Sequence, residues 1–161
     1  MPRSLDPALA IAVFALAFAC NVSADQSAHL DKHCKELMIR VLQQADLNFE
    51  KSSDKIGTSS ISLLNEIVEI AFDCPSLTIS ITGHTDNTGS EASNRALSKA
   101  RAESVVAYLT ERGIDPGRLS ASGAGSDTPI ASNDDLAGRR ANRRIEFELN
   151  SRQKERSRTT F

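Results

Sequence analysis

The sequence predicts an α+β fold, in which helices pack on one face of a four-stranded mixed sheet. Leu77, Ile79 and Ile81 alternate with polar residues, which is the pattern of a half-buried strand. Other stretches repeat their apolar residues at helical spacing. The two kinds of stretch follow one another in the order helix, strand, helix, strand, helix, strand, short helix, strand, which favours one domain with a mixed sheet.

The first half of the chain contains two predicted helices with a short strand between them. Helical spacing predicts a first helix over residues 30–44. It also predicts a second helix, whose N-terminus is capped by a Thr or Ser at 58–60 and which ends before Pro75. Between them, Leu47 and Phe49 alternate with polar neighbours and predict a strand. The apolar stripe of the second helix comprises Ile61, Leu64, Ile67, Val68, Ala71 and Phe72.

The second half begins with the clear strand over residues 77–82, which leads into a loop over 83–89. A long helix over residues 93–112 follows, and Gly113 ends it. The remaining predicted elements are a strand over residues 118–123, a short helix near 134–140 and a strand over 145–149.

The N-terminus has the pattern of an export signal. Residues 8–19 are apolar but too few to span a bilayer well, and small residues predict cleavage after Ala24. An uncleaved anchor and lipid attachment at Cys20 are the alternatives, and no later segment is predicted to cross a membrane. The predicted division is a signal peptide over 1–24, a helical segment over 25–46, a globular domain over 47–150 and a basic disordered tail over 151–161.

Cleavage after Ala24 removes one of the three cysteines and leaves Cys34 and Cys74. An even pair in an exported protein predicts a disulfide. It would close a loop of about forty residues and contribute roughly 4 kcal/mol in the chain-entropy model. Two separate buried thiols are the alternative, and a metal site is not predicted because the pair lacks partners at ligand spacing.

Composition argues against nucleic acid as the main partner. The formal net charge is -2, and there is no tryptophan and one tyrosine. The chain therefore has no overall excess of basic residues to bind phosphates and few aromatic side chains on which bases could stack.

Arg101 is the most informative charged residue. It lies four residues after Leu97 and four before Val105, at the edge of an apolar helix face, where a guanidinium is partly buried and needs acceptors. Asp86 follows the preceding strand, in the loop that leads back to this helix. The two residues either form a structural ion pair or line a pocket together. In a pocket, Asp86 would bind an ammonium and Arg101 a carboxylate, so a zwitterionic amino-acid end would satisfy both.

The residues around this pair resemble the OmpA-like C-terminal domain family. The resemblance covers residues 47–149 and implies a βαβαβ(α)β two-layer sandwich, in agreement with the order of elements above. The matching positions are Gly83-His84-Thr85-Asp86-Asn87-Thr88-Gly89, Asn94, Leu97-Ser98-x-x-Arg101-Ala102, Gly138-Arg139 and Asn142-Arg143-Arg144.

The resemblance implies a non-enzymatic protein of the periplasm or outer membrane that binds peptidoglycan non-covalently, through the diaminopimelate of the stem peptide. It implies no cofactor and no metal, and it allows envelope proteins as further partners. An OmpA-like scaffold that binds a periplasmic protein instead of the cell wall is the alternative, and a lipoprotein like Pal results if Cys20 is lipidated. The implied diaminopimelate-binding positions are Asp86, Arg101, Thr85, Asn94, Leu97 and Arg143.

Enzyme sites are less well supported. His84 and Asp86 suggest a metal hydrolase, but no third ligand has a known spacing. Ser90, Ser98 and Ser122 lack the Gly-x-Ser-x-Gly context of a serine hydrolase. His84 is therefore expected to be a loop residue that bonds to backbone.

A basic cluster lies near the C-terminus. Arg140 and Arg144 are expected at a solvated helix end, whereas Arg143 has the better claim to the pocket. The tail over 151–161 is expected to be solvated, with weak attraction to anionic polymer or membrane as the alternative.

Overall fold

The computed structural model describes residues 24–43 and 47–151. The predicted signal peptide with Cys20 and the predicted tail lie outside this range, except for Ala24 and Ser151. No helix within the described part of the chain is long and apolar enough to cross a membrane. The elements are α1 (Ala24–Gln43), α2 (Ile61–Asp73), β1 (Leu77–His84), α3 (Glu91–Glu111), β2 (Leu119–Gly125), α4 (Leu136–Asn142) and β3 (Ile145–Ser151).

The sheet has the order β2-β1-β3, with β2 parallel and β3 antiparallel to the central β1. Leu77, Ile79 and Ile81 of β1 are buried beneath the helices, whereas the alternate residues of β1 from Thr78 to Thr82 are half-buried on the other face. The predicted α+β class, the mixed sheet and the helices on one face agree with this arrangement. The pattern of β1 was a reliable indicator because the strand is apolar on one face only.

The prediction of a fourth strand at Leu47 and Phe49 is wrong for the described residues. Phe49 makes only an isolated antiparallel bridge to Ile56. Asn48 is bonded locally: its N–H donates to the Ser60 hydroxyl at 2.7 Å and its carbonyl accepts from Gly57 N–H at 2.8 Å. The segment therefore forms a tight hairpin, which we call the Asn48–Gly57 hairpin, instead of a sheet strand.

The same contact explains a difference at the start of α2. Ser60 stands at the N-cap of that helix, but its side chain makes no capping bond there. The Ser60 hydroxyl instead bonds to both backbone polar groups of Asn48: it accepts a hydrogen bond from the N–H and donates one to the carbonyl oxygen at 3.2 Å. The residue predicted as one of three possible caps thus holds the hairpin to α2.

Helix α3 packs very closely on the sheet at two glycines. Gly83 of β1 and Gly123 of β2 are partners in the parallel register. A Cβ at Gly83 would lie 2.0 Å from the Ser98 carbonyl oxygen, and one at Gly123 would lie 2.4 Å from the Lys99 nitrogen. Only glycine permits this approach, which brings the middle of α3 against the end of β1.

Helix α1 starts earlier than predicted and packs on the domain. Cys34 and Met38 are buried in the common core, and Cys34 is bonded to Cys74, with their Cα atoms 5.8 Å apart. The Cys74 carbonyl also accepts a hydrogen bond from the buried Arg118 guanidinium at 2.7 Å. The N-terminal helix is thus joined to the end of α2 beside the start of the sheet.

Candidate ligand-binding pocket

A pocket of about 650 Å³ opens where β1 ends, between α3, α4 and the Asn48–Gly57 hairpin. The structure brings together in its lining all six residues that the family resemblance implied for a ligand. These are Thr85, Asp86, Asn94, Leu97, Arg101 and Arg143.

Asp86 lies just beyond β1 and is 8 % exposed. Its Oδ2 accepts a hydrogen bond from Arg143 Nη1 at 2.6 Å, and its Oδ1 accepts one from the Thr88 N–H at 2.9 Å. A carboxylate has about four acceptor positions on its two oxygens. Capacity for a further donor therefore remains on Asp86.

The surroundings of Asp86 keep it ionised. Burial by itself raises the pKa of this carboxyl, but the hydrogen bonds from Arg143 and Thr88 outweigh burial, and the pKa lies below its ordinary value of 3.8. Asp86 thus carries a full negative charge in the pocket at neutral pH.

Arg101 is 8 % exposed on the inner side of α3. Its Nε donates to the Ser53 carbonyl at 2.9 Å, and its guanidinium lies 5.1 Å from the centre of the Phe49 ring. Its Nη groups make no hydrogen bond and no ion pair with the described residues. The hairpin therefore orients the guanidinium and leaves its two amino groups for a ligand.

The possible structural ion pair between Asp86 and Arg101 is not formed. Asp86 pairs with Arg143 instead, and Arg101 contacts a neutral carbonyl and a ring. Burial, and then the charge of Arg143, lower the pKa of Arg101, while Asp54 and Asp86 oppose that shift. A guanidinium stays charged at neutral pH, so the pocket presents a cation that lacks a bound anion within the described residues.

Two further residues shape the wall beside Asp86. Asn94 on α3 donates from Nδ2 to the Asp86 carbonyl at 3.2 Å and fixes the loop to the helix. Thr85 is held by its backbone, whose N–H donates to the Gly125 carbonyl at 2.8 Å. The buried Thr85 Oγ1 has no hydrogen-bond partner in the described part of the structure. Buried polar groups are normally satisfied, so this hydroxyl is a candidate ligand contact.

The sequence analysis missed the residues that the hairpin and α4 contribute. Phe49 was taken only as a strand residue, and Ser53 acts through its carbonyl, which side-chain identity does not reveal. Arg140 was expected in a solvated cluster, and it is exposed but also lines the pocket. Arg140 lies in α4, three residues before Arg143 at the C-cap of that helix, and this spacing was the one pattern that pointed to the pocket.

His84 lies outside this pocket, on the opposite face of β1. It is in the strand and not in a loop, and its partners are side chains: Nδ1 is 3.0 Å from Thr128 Oγ1, and Nε2 is 3.2 Å from Glu146 Oε2 in poor hydrogen-bond geometry. Arg144, expected at a solvated end, pairs with the same Glu146. Among the described residues, no group of three or more His, Cys, Asp or Glu side chains is placed to hold a metal.

Comparison with protein families gives a match over most of the described domain. The model of the OmpA family matches residues 48–143. The chain is 40% identical over 110 residues to outer membrane protein A of Bordetella avium, an alignment that covers 68% of this chain and 57% of that protein. It is 35% identical over 119 residues to the peptidoglycan-binding protein ArfA of Mycobacterium tuberculosis, covering 73% of this chain and 36% of that protein. The chain thus spans little over half of one relative and about a third of the other.

Solved structures show the same fold. The C-terminal domain of Helicobacter pylori MotB aligns with a TM-score of 0.60 and 33% identity, over 66% of this chain and 85% of that one. The peptidoglycan-associated lipoprotein of Burkholderia pseudomallei aligns with a TM-score of 0.59 and 28% identity, over 64% of this chain and 86% of that one.

Proposed function

We propose, since the chain belongs to the OmpA family, that it binds peptidoglycan non-covalently through the diaminopimelate of the stem peptide. The relatives named for peptidoglycan binding or association support the polymer as the ligand. The chemistry of the pocket supports the particular group that is bound.

The observation that carries the proposal is the separation of opposite charges in one pocket. Asp86 keeps acceptor capacity, and Arg101 keeps two amino groups without an acceptor, although they line the same space. A ligand end with an ammonium and a carboxylate matches both. The free end of diaminopimelate is such a zwitterion, whereas lysine, which lacks the second carboxylate, offers only the ammonium.

In the proposed complex the ammonium donates to Asp86, and the carboxylate accepts from the Nη groups of Arg101. Hydrogen bonds of this charged kind contribute about 1.5–3 kcal/mol each. Arg143 holds the Asp86 carboxylate, Asn94 holds its loop, and the Thr85 hydroxyl gains a partner. None of these groups is arranged to cleave a bond, so the chain acts as a binding protein and not as an enzyme.

The proposed location is the periplasm, with outer-membrane association. Relatives of this chain include outer membrane protein A of Bordetella avium and the probable lipoprotein YiaD of Escherichia coli. Export through the predicted signal peptide, with cleavage after Ala24, would place the pocket beside the cell wall. Lipidation at Cys20 is the alternative to cleavage after Ala24. It would anchor the domain to a membrane while the pocket binds the peptidoglycan.

The test is sedimentation of the mature protein with purified sacculi. Wild-type protein should pellet with diaminopimelate-type sacculi, should be released by free diaminopimelate, and should not pellet with lysine-type sacculi. Arg101→Ala should stay in the supernatant. Arg95→Ala is the matched control, because Arg95 lies on the same helix but its partners Glu91 and Asp127 lie outside the pocket lining.

The alternatives give different results in the same experiment. A protein-binding module on the same scaffold would ignore both kinds of sacculi with Asp86 and Arg101 intact. An enzyme would release soluble fragments from the pellet over hours. Equal binding to the two kinds of sacculi, or full binding by Arg101→Ala, would contradict the zwitterion site.

A further inference from the structure

The fit of a zwitterion depends on how far apart Asp86 and Arg101 are held. Asp86 pairs with Arg143. Arg101 bonds to the Ser53 carbonyl, so no bond between the two charges sets their distance. They also lie on different parts of the chain, one just after β1 and the other on α3. The packing of α3 against the ends of the strands must therefore fix the spacing of the two charges.

Ser98 lies at this packing contact. It is 0 % exposed and stands three residues before Arg101 on α3. Its hydroxyl donates to the Arg95 carbonyl of the same helix at 3.0 Å and accepts from the N–H of Gly125, at the end of β2, also at 3.0 Å. One small side chain thus joins the helix that carries Arg101 to the strand beside β1.

Gly125 connects this bond to Asp86. Its carbonyl accepts from the Thr85 N–H at 2.8 Å, and Thr85 directly precedes Asp86. The register of β1 with β2 shifts between Gly83 and His84, and Gly125 has a φ of 58° there, which suits glycine. Gly125 therefore bonds to α3 through its N–H and to the residue after β1 through its carbonyl.

Neither Ser98 nor Gly125 lines the pocket, so both affect a ligand only through other residues. Asn94 makes a second connection between α3 and the same loop, from its Nδ2 to the Asp86 carbonyl at 3.2 Å, but Asn94 is itself part of the lining. A change at Asn94 would alter both the lining and the spacing of the charges. A change at Ser98 alters the spacing alone.

We propose that Ser98 is a positioning residue, whose hydroxyl sets the spacing between Asp86 and Arg101. The inference rests on the proposed function and extends it to a residue outside the pocket. Hydrogen bonds weaken steeply when donor and acceptor are misaligned. A ligand that uses both charges therefore needs this spacing, whereas a ligand that uses Asp86 alone does not.

Ser98→Ala removes the hydroxyl without adding bulk and tests the inference. NMR titration of the mature variant should give an affinity for free diaminopimelate roughly tenfold below that of the wild type, the lower end of what one charge-assisted hydrogen bond contributes. The affinity for lysine, which lacks the second carboxylate, should stay at the wild-type value. Thermal unfolding defines the temperatures at which the variant is folded, and there a merely structural role would not change the ratio of the two affinities.

Ser104→Ala is the matched control. Ser104 also lies on α3, and its hydroxyl donates to the Ala100 carbonyl at 3.0 Å, so the variant removes the same kind of bond within the helix. The Ser104 hydroxyl makes no hydrogen bond to another element in the described part of the chain, and Ser104 does not line the pocket. Both affinities of this variant should equal those of the wild type.

The wild type provides a second measurement, which does not depend on the folding of a variant. If opening of the bond between Ser98 and Gly125 weakens binding, then binding must hold that bond closed, because the coupling is reciprocal. Saturating diaminopimelate should therefore slow hydrogen exchange of the Gly125 amide, although Gly125 lies outside the pocket lining.

The outcomes separate this inference from the proposed function. Wild-type affinity of Ser98→Ala for diaminopimelate overturns the inference, as does an equal loss of affinity for diaminopimelate and lysine. An exchange rate of the Gly125 amide that diaminopimelate leaves unchanged overturns it as well. In each case diaminopimelate still binds the wild type, and the proposed function stands. Failure of the wild type to bind diaminopimelate overturns the proposed function itself, and this inference with it.

Discussion

Arg143 is the partner of Asp86, with its Nη1 2.6 Å from the Asp86 Oδ2. The pairing determines the character of the pocket. Asp86 stays ionised and keeps room for a further donor, whereas Arg101 bonds through Nε to the Ser53 carbonyl and lies over the Phe49 ring, which leaves its amino groups without a partner among the described residues. A site in which Asp86 and Arg101 had paired with each other would leave neither of these two charges for a zwitterionic ligand.

Arg143→Ala should weaken sacculus binding without abolishing it. The side chain is 44 % exposed and contributes a hydrogen bond that holds Asp86 and lowers the pKa of that carboxyl. Without Arg143 the pKa of Asp86 should rise, because burial then has less to oppose it. Carboxyl NMR titration of Asp86 in the variant measures this shift.

The control for Arg143→Ala is Arg143→Lys, which keeps the charge but not the planar donor geometry. It should restore part of the affinity and part of the pKa depression. An unchanged pKa of Asp86 in Arg143→Ala would show that the 2.6 Å hydrogen bond does not persist in solution.

Phe49→Leu should lower the affinity for diaminopimelate by roughly fivefold, which corresponds to the loss of about 1 kcal/mol of cation–π interaction. The ring lies over the Arg101 guanidinium at 5.1 Å, so its loss frees that side chain to turn. Phe49→Tyr keeps a ring face and should retain the affinity. Calorimetry with free diaminopimelate measures both variants.

Phe72→Leu is the matched control for the ring, since Phe72 is 55 % exposed and lies outside the pocket lining. Thermal unfolding of each variant separates a loss of stability from a loss of affinity. Equal affinities for Phe49→Leu and the wild type would show that the Ser53 carbonyl alone positions Arg101.

Elements whose apolar residues recur at a regular spacing over many positions were predictable from the sequence. Segments held by hydrogen bonds to the backbone were not. Leu77, Ile79 and Ile81 gave β1 correctly because one face of that strand is buried. Leu47 and Phe49 show the same alternation, but over too few residues to define a strand. The hydrogen bonds of Asn48 with Ser60 and Gly57 place this segment in a hairpin instead. A short alternating pattern does not distinguish a strand from an arm of a hairpin.

The site residues likewise divide into those that the sequence predicted and those that it did not. Asp86 and Arg101 were found because a charge on an apolar helix face and one at a strand end need partners. Their actual partners were less predictable: Arg143 lies 57 residues from Asp86 along the chain, and the Ser53 carbonyl lies 48 residues from Arg101. Contacts between residues so far apart along the chain leave no local sequence pattern from which they could be predicted.

Replacing Cys34 and Cys74 with serine should lower the free energy of unfolding by about 4 kcal/mol, the chain-entropy value for a loop of this size. The bond joins residues 40 apart and ties α1 to the end of α2. Neither cysteine lines the pocket, so affinity for diaminopimelate should change little under conditions where the variant remains folded. Urea unfolding measures the stability difference.

Mass spectrometry checks the bond itself. In the exported protein, alkylation without reductant should leave Cys34 and Cys74 unmodified, and alkylation after reduction should modify both. Alkylation of both residues in unreduced protein would contradict the disulfide, and the same spectrum shows whether the mature chain begins after Ala24.

His84 should make stability depend on pH below 6.5, the ordinary pKa of its imidazole. Burial and the charge of Arg144 lower its pKa below 6.5, and the attraction of Glu146 only partly opposes them. The unfolded chain therefore binds a proton on this residue at a higher pH than the folded one. The stabilising contribution is fully present above pH 6.5 and is lost as the pH falls from there through the lower folded-state pKa.

His84→Gln removes this titration while keeping a polar side chain beside Thr128. The difference in unfolding free energy between wild type and His84→Gln, measured by urea denaturation at steps from pH 7 to pH 5, should move against the wild type as the pH falls. The opposite slope would mean that the pKa of His84 is raised, with the imidazolium paired to Glu146 across their 3.2 Å separation. The sign of the slope thus decides whether burial or the carboxylate dominates at this buried histidine.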